Sequence, residues 1–257
     1  MKAMILAAGL GTRLYPLTEH FPKPLLPFRE KPLIGHTLDL LKKANIFEVV
    51  INFHHFPDPL KKYLKTQKEF EFVFSDEPQI LGTGGGILKA KPYLKEDRFV
   101  VINSDVVMQP SISELLKFHL AKKSLATMLV RSPKPTERYE CLGLNSQHQI
   151  RQFKVKTIHP RYRRVMFCGL HLFEPEIFDC FPNKKIFCIN SDVYAQLIQE
   201  KAPVFGSLYR GAWLDLGTLD LYLKYNLKYL TASQKSHFKQ MLRKLAPGVT
   251  LPKTTSR

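Results

Sequence analysis

The chain has 257 residues, 44% of them hydrophobic and 24% charged. These values lie near the globular average and exclude a disordered, fibrous or low-complexity protein. Thirty-nine Lys and Arg against 22 Asp and Glu leave a net charge of +17, a bias that favours polyanionic partners such as nucleotides, nucleic acid or anionic lipid. At this length an α/β chain often forms one domain with one large core.

In chain order, the first apolar run, Ala3 to Leu10, is far too short for a membrane span and leads into Gly11-Thr12-Arg13 with no cleavage-type region. It is therefore a buried strand over residues 2–8, not a signal peptide. Further β-rich runs at 47–53, 70–74, 98–102 and 125–130 are separated by helical spacing at 33–44 and 111–123. Such alternation predicts a Rossmann-like, mostly parallel sheet flanked by helices. Beyond about residue 140 the period shortens to strands at 149–155, 165–173 and 203–208, around a helix opened by Asn190-Ser191-Asp192 and running to Glu200. This part predicts a smaller lobe that completes a pocket. After Asp220 there is no acidic residue and eight basic ones, so residues 231–257 are expected to be a basic tail: a basic contact or a small packing strap, dispensable for chemistry. The four cysteines show neither a Cys-x-x-Cys pair nor zinc spacing, which fits a reducing cytoplasm.

In an open parallel sheet, ligands bind beyond the carboxyl ends of the strands. The first such end, Leu6-Ala7-Ala8-Gly9-Leu10-Gly11-Thr12-Arg13-Leu14, is a glycine-rich turn whose amides can face phosphate. Leu14 replaces the third glycine of a dinucleotide fingerprint, and no Gly-Lys-Ser/Thr follows as in a P-loop. Arg13 can grip phosphate oxygens in bidentate fashion. In Pro22-Lys23-Pro24 two prolines restrain the backbone around one lysine, a restraint a surface lysine does not need.

Taken together, residues 6–14, Pro16-Leu17-Thr18 and Pro22-Lys23-Pro24-Leu25 resemble the motif of the sugar-1-phosphate nucleotidylyltransferases, or NDP-sugar pyrophosphorylases. Mannose-1-phosphate guanylyltransferases and N-acetylmuramate-1-phosphate uridylyltransferases are the relatives in view. The resemblance implies a GT-A-like nucleotidyltransferase domain over 1–230, with a sugar-binding lobe over about 140–210. It implies transfer of a nucleoside monophosphate, guanine or uracil in its base, from a nucleoside triphosphate to a sugar 1-phosphate with release of pyrophosphate. By the same resemblance, Leu6, Ala7, Ala8, Gly9, Gly11 and Thr12 wrap the nucleotide, Arg13 holds the leaving pyrophosphate and Lys23 lies against the transferring phosphate.

Three later segments extend the match. Leu81-Gly82-Thr83-Gly84-Gly85-Gly86 resembles the base-recognition segment, with Thr83, Gly84 and Gly85 against the nucleotide and the glycines leaving room for a planar base. By the same resemblance, Asn103-Ser104-Asp105 is implied to bring Ser104 to the nucleotide and to supply a metal-binding aspartate. Trp213-Leu214-Asp215-Leu216-Gly217-Thr218 resembles the element that supplies the second. Asp105 and Asp215, with phosphates and water, suit Mg2+. Gly143, Lys156 and Gly169 are implied to face the sugar, although Val155-Lys156 stands where relatives carry Glu-Lys. The charge set Arg13, Lys23, Asp105 and Asp215 weighs against a catalytically silent nucleotide-sugar sensor on the same fold. Nucleic acid is not an expected partner, and no membrane span is expected.

Overall fold

The computed structural model describes residues 1–153, 155 and 157–246. The chain opens with β1 (Lys2–Leu6), a two-residue pair β2 (Pro27–Phe28) and β3 (Lys31–Pro32), and α1 (Leu33–Lys43). β4 (Glu48–Phe53), α2 (Pro57–Leu64), β5 (Glu71–Asp76), α3 (Gly82–Lys89) and α4 (Lys91–Leu94) follow. Next come β6 (Phe99–Asn103), β7 (Val106–Met108), α5 (Ile112–Ala121) and β8 (Ala126–Arg131). The second half holds β9 (Cys141–Leu144), β10 (Ile150–Phe153), β11 (Arg163–Phe173), α6 (Ala195–Gln199), β12 (Val204–Leu208), β13 (Trp213–Asp215), α7 (Leu219–Tyr229) and α8 (Ala232–Leu245).

The apolar runs of the first half pair as the alternation predicts. β6, β1, β4 and β5 lie side by side and parallel; β6, β1 and β4 are buried on both faces because helices cover both, and β5 at the edge is largely half-buried. β11 then runs antiparallel to β6 and carries the sheet onward. Its first half pairs with β9 and its second half with β6, while β8 lies along its length. The switch falls at Gly169, whose φ of +92° is open to glycine and coincides with the register break against β8 between Phe167 and His171. β12 joins β8 in parallel and β10 joins β9. One core lies on each face of the sheet.

Three features differ from the sequence reading. β1 ends at Leu6, so residues 7 and 8 already belong to the loop. The helix expected from Asn190 opens instead as a π-helical turn, Ile189–Tyr194, before α6. There Asp192 turns back, its Oδ2 accepting from Cys188 N at 2.8 Å. At the C-terminus, α8 is a packed helix with a capping box between Thr231 and Gln234. Phe238 and Leu242 bury into a third core with Leu14, Leu17, Leu26, Tyr222 and Leu223. Residues 232–246 of the expected tail are thus packed against the domain; residues 247–257 lie outside the described residues. No helix among the described residues is long and apolar enough to cross a membrane.

Since Phe238 closes that third core, Phe238→Ala is expected to cost about 3 kcal/mol in urea unfolding. A loss under about 0.5 kcal/mol would show that α8 is not part of the folded unit.

Candidate active site

A cavity of about 300 Å³ opens at the carboxyl ends of β1, β4, β5 and β6, where the switch-point rule places ligands. Its floor is the first loop, residues Leu6 to Arg13 apart from Leu10. The loop is held from three sides. Ala7 N donates to Asn52 Oδ1 at 2.8 Å, Ser104 Oγ to Leu6 O at 2.8 Å, and Thr18 Oγ1 to Gly11 O at 2.8 Å. Gly11 has φ +69°, and a Cβ there would press on Thr18 and on Lys23 Cβ at 3.2–3.3 Å. Only glycine gives both the turn and the close approach.

Lys23 enters on a short 3-10 turn, Lys23–Leu25, whose neighbouring prolines fix its backbone. Its ammonium reaches Asp105 Oδ2 at 2.6 Å, with 11% of the lysine side chain and 20% of the aspartate exposed. Asp105 stands two residues past the end of β6. Asp215 arrives from 110 residues away because β13 pairs antiparallel with β7, with Asp215 opposite Val106, and because Leu216 N donates to Asp105 O at 3.0 Å. Gly217 completes the junction. A Cβ on it would lie 2.7 Å from Asp215 Oδ1, 3.2 Å from Asp105 Oδ2 and 3.3 Å from Arg13 Nη2, so two carboxylates and one guanidinium converge on its bare α-carbon. Asp215 is oriented at both oxygens: Gly217 N donates to Oδ1 at 2.7 Å and the Tyr139 hydroxyl to Oδ2 at 2.9 Å. Burial first, and the Asp215 charge next, raise the Tyr139 pKa, so the phenol keeps the proton it donates.

The opposite wall holds groups that no motif flagged. Glu77, 3% exposed, accepts from Asn52 Nδ2 at 2.7 Å and from Leu81 N at 3.0 Å. Asn52 thereby links the first loop to Glu77. Asn103 also lines the cavity. Their signal in the sequence is only their position at the ends of apolar runs, which acquires meaning once β1, β4 and β5 are known to be neighbours.

Thr83 and Gly82 face the cavity, while Gly84 and Gly85 do not. A Cβ on Gly84 would strike the Phe187 ring at 2.3 Å, and one on Gly85 the Lys185 carbonyl at 2.2 Å. Gly84 N and Gly85 N both donate to Phe187 O. The physical reason for these glycines is thus close packing against residues 185–187, not room for a planar base. Thr83 Oγ1 accepts from Ile189 N at 3.0 Å, fastening α3 to the π-helical turn.

Of the residues expected at the sugar, Gly169 lies behind Asn103 and Val106. Gly143 is covered by Gln152, whose side chain a Cβ would meet at 3.0 Å. Lys156 lies outside the described residues. A second cavity of about 800 Å³ lies beyond Tyr139, lined among others by Arg138, Val155, Tyr162 and Arg164. Among the described residues no group of three or more His, Cys, Asp or Glu could hold a metal. The two carboxylates at Gly217 nonetheless form a pair of hard oxygen donors, and a pair of this kind fits Mg2+ when substrate phosphates and water supply the remaining ligands.

A family model described as "Nucleotidyl transferase" matches residues 2–232. The UTP–glucose-1-phosphate uridylyltransferase of Synechocystis sp. is 27% identical over 86% of this chain and 61% of its own. A mannose-1-phosphate guanyltransferase of Candida glabrata is 32% identical over 92% of this chain and 67% of its own. The chain therefore spans about two thirds or less of these two relatives' lengths. Among solved structures, HddC from Yersinia pseudotuberculosis superposes with a TM-score of 0.75 at 21% identity, over 89% of this chain and 99% of that one.

The packing of the glycine run predicts a contrast. Gly85→Ala, pressed on the Lys185 carbonyl, is expected to lose about 1–3 kcal/mol in equilibrium unfolding. Gly9→Ala, whose Cβ would meet nothing within 4 Å, is expected to change stability by less than about 0.5 kcal/mol. Equal effects in the two variants would contradict the packing.

Proposed function

Because the chain belongs to the nucleotidyl transferase family, we propose that it transfers a nucleoside monophosphate from a nucleoside triphosphate to a sugar 1-phosphate, releasing pyrophosphate. One observation carries the reading: Asp105, Asp215 and Arg13 converge on Gly217 at the edge of a cavity floored by the glycine loop.

The reaction brings two polyanions together, so charge is the obstacle. At an effective dielectric near 20, each unit-charge pair about 4 Å apart is worth roughly 4 kcal/mol. In our reading the loop from Leu6 to Thr12, with Thr83 and Ser104, seats the nucleoside and phosphates, and Arg13 takes the leaving pyrophosphate. Lys23 leaves Asp105 for the transferring phosphate, where its attraction grows as charge develops in the transition state. Asp105 and Asp215 would hold Mg2+, which when bound draws charge from the phosphate oxygens and fixes their geometry. The sugar is assigned to the second cavity, beside Tyr139, with Gly169 shaping the strand between the two cavities and Gly143 supporting it from under Gln152. The sugar phosphate is already a nucleophile, so positioning and charge neutralisation suffice and no covalent intermediate is needed.

Guanylyl and uridylyl transfer are the activities in the relatives' names, and Glu77 favours guanine. An ionised carboxylate can only accept hydrogen bonds. Guanine offers adjacent N1–H and N2–H donors, whereas uracil offers one N–H between two carbonyl oxygens. The free thiols of Cys141, Cys168, Cys180 and Cys188 suit the cytoplasmic setting we assign to the protein.

The test is pyrophosphate release with each common nucleoside triphosphate against a panel of sugar 1-phosphates. Release should require both substrates and Mg2+ and be fastest with GTP. Asp105→Asn should lower it by about a hundredfold or more with an unchanged melting temperature. Tight triphosphate binding with no release for any pair would instead make the protein a silent sensor.

A further inference from the structure

Tyr139 lies where the connection from β8 to β9 meets β13. Its hydroxyl donates to Asp215 Oδ2 at 2.9 Å, and its ring meets Trp213 edge-on, with centroids 5.4 Å apart at 86°. With Gly217 N on the other oxygen, each oxygen of Asp215 has a fixed donor, which sets the plane of the carboxylate. The same side chain lines the second cavity with Arg138, Tyr162 and Arg164. Anything seated there therefore lies one side chain away from Asp215.

The connection carrying Tyr139 is braced on the same strand. Arg131 stacks 4.4 Å over the Trp213 ring and pairs with Glu137 at 2.6 Å. Glu137 in turn accepts from Lys134 N at 2.8 Å, and Trp213 Nε1 donates to Cys168 O at 2.9 Å, tying β13 to β11. A displacement of Tyr139 is thus passed to β13 and the carboxylate it carries, rather than absorbed in a loose loop.

We propose that Tyr139 is a positioning residue that couples occupancy of the second cavity to the Asp215 carboxylate, so that sugar phosphate and divalent cation strengthen each other's binding. The inference rests on Asp215 as a cation ligand and on the sugar lying beside Tyr139. A hydrogen bond to a charged acceptor is strong and directional, and without it the carboxylate is free to turn away from Gly217. Coupling of this kind is reciprocal, so it is measurable from the cation side without turnover.

The experiment is a Mn2+ titration followed by electron paramagnetic resonance, on the full chain with a GTP analogue whose α,β-bond cannot be cleaved. Mannose 1-phosphate is added or omitted. In the wild type it should tighten Mn2+ binding about fivefold or more. In Tyr139→Phe the gain should fall below about twofold, while the melting temperature and the affinity for the analogue stay at their wild-type values. A wild type without coupling, or a Tyr139→Phe variant that retains it, overturns the proposal. Asp215→Asn in parallel separates the two layers: unchanged Mn2+ binding there would mean that the reading of Asp215 itself has failed. Loss of Mn2+ binding there, together with intact coupling in Tyr139→Phe, removes only the role of Tyr139.

Discussion

Two carboxylates held against one bare α-carbon set the terms for the rest of the site. Asp105 and Asp215 face each other across Gly217, an arrangement that costs free energy unless positive charge stands close. Lys23 and Arg13 provide that charge from the first loop and its continuation. The same cations are the groups that a triphosphate would engage. In the proposed function, a site that balances its carboxylates with such cations exchanges one set of partners for another when phosphate and a divalent ion enter together.

The fold serves that arrangement at long range. Four parallel strands deliver the first loop, Asn52, Glu77 and Ser104 to one edge of the sheet. The short β7–β13 ladder brings Asp215 to Asp105 across 110 residues of sequence. Leu14 and Leu17, at and just past the end of the first loop, share one apolar core with Tyr222 and Leu223 of α7 and Phe238 and Leu242 of α8. The basic C-terminal helix therefore supports the segment that carries Arg13, a role its charge alone does not suggest.

What could be read from the sequence, and what could not, follows from the range of the forces involved. β1, β4 and β6 were legible because strands buried on both faces are continuous apolar runs. Arg13 and Lys23 stood out because a glycine-rich turn and two prolines surround them, Asp105 and Asp215 because their segments resemble the family's motifs. The link from Ala7 through Asn52 to Glu77 was not legible, since it depends on which strands become neighbours. Nor was Tyr139, whose partner is 76 residues away. Gly84 and Gly85 were visible as glycines, but the reason for them, the strap at 185–187, is tertiary. α8 read as a basic tail because five of its residues from Ser233 to Lys244 are basic or histidine; the apolar pair Phe238 and Leu242 shows its weight only beside Leu14 and Tyr222 in the folded core.

The central claim is that the site joins nucleotide to sugar phosphate in one displacement, by placing charge and substrates rather than by forming a bond to the protein. The stereochemistry at phosphorus tests it most directly. Turnover of a triphosphate carrying a single chiral sulfur at the α-phosphorus, with the configuration of the nucleotide sugar determined by phosphorus NMR, should give inversion. Retention would require two displacements through a covalent nucleotidyl-protein intermediate and would contradict the account.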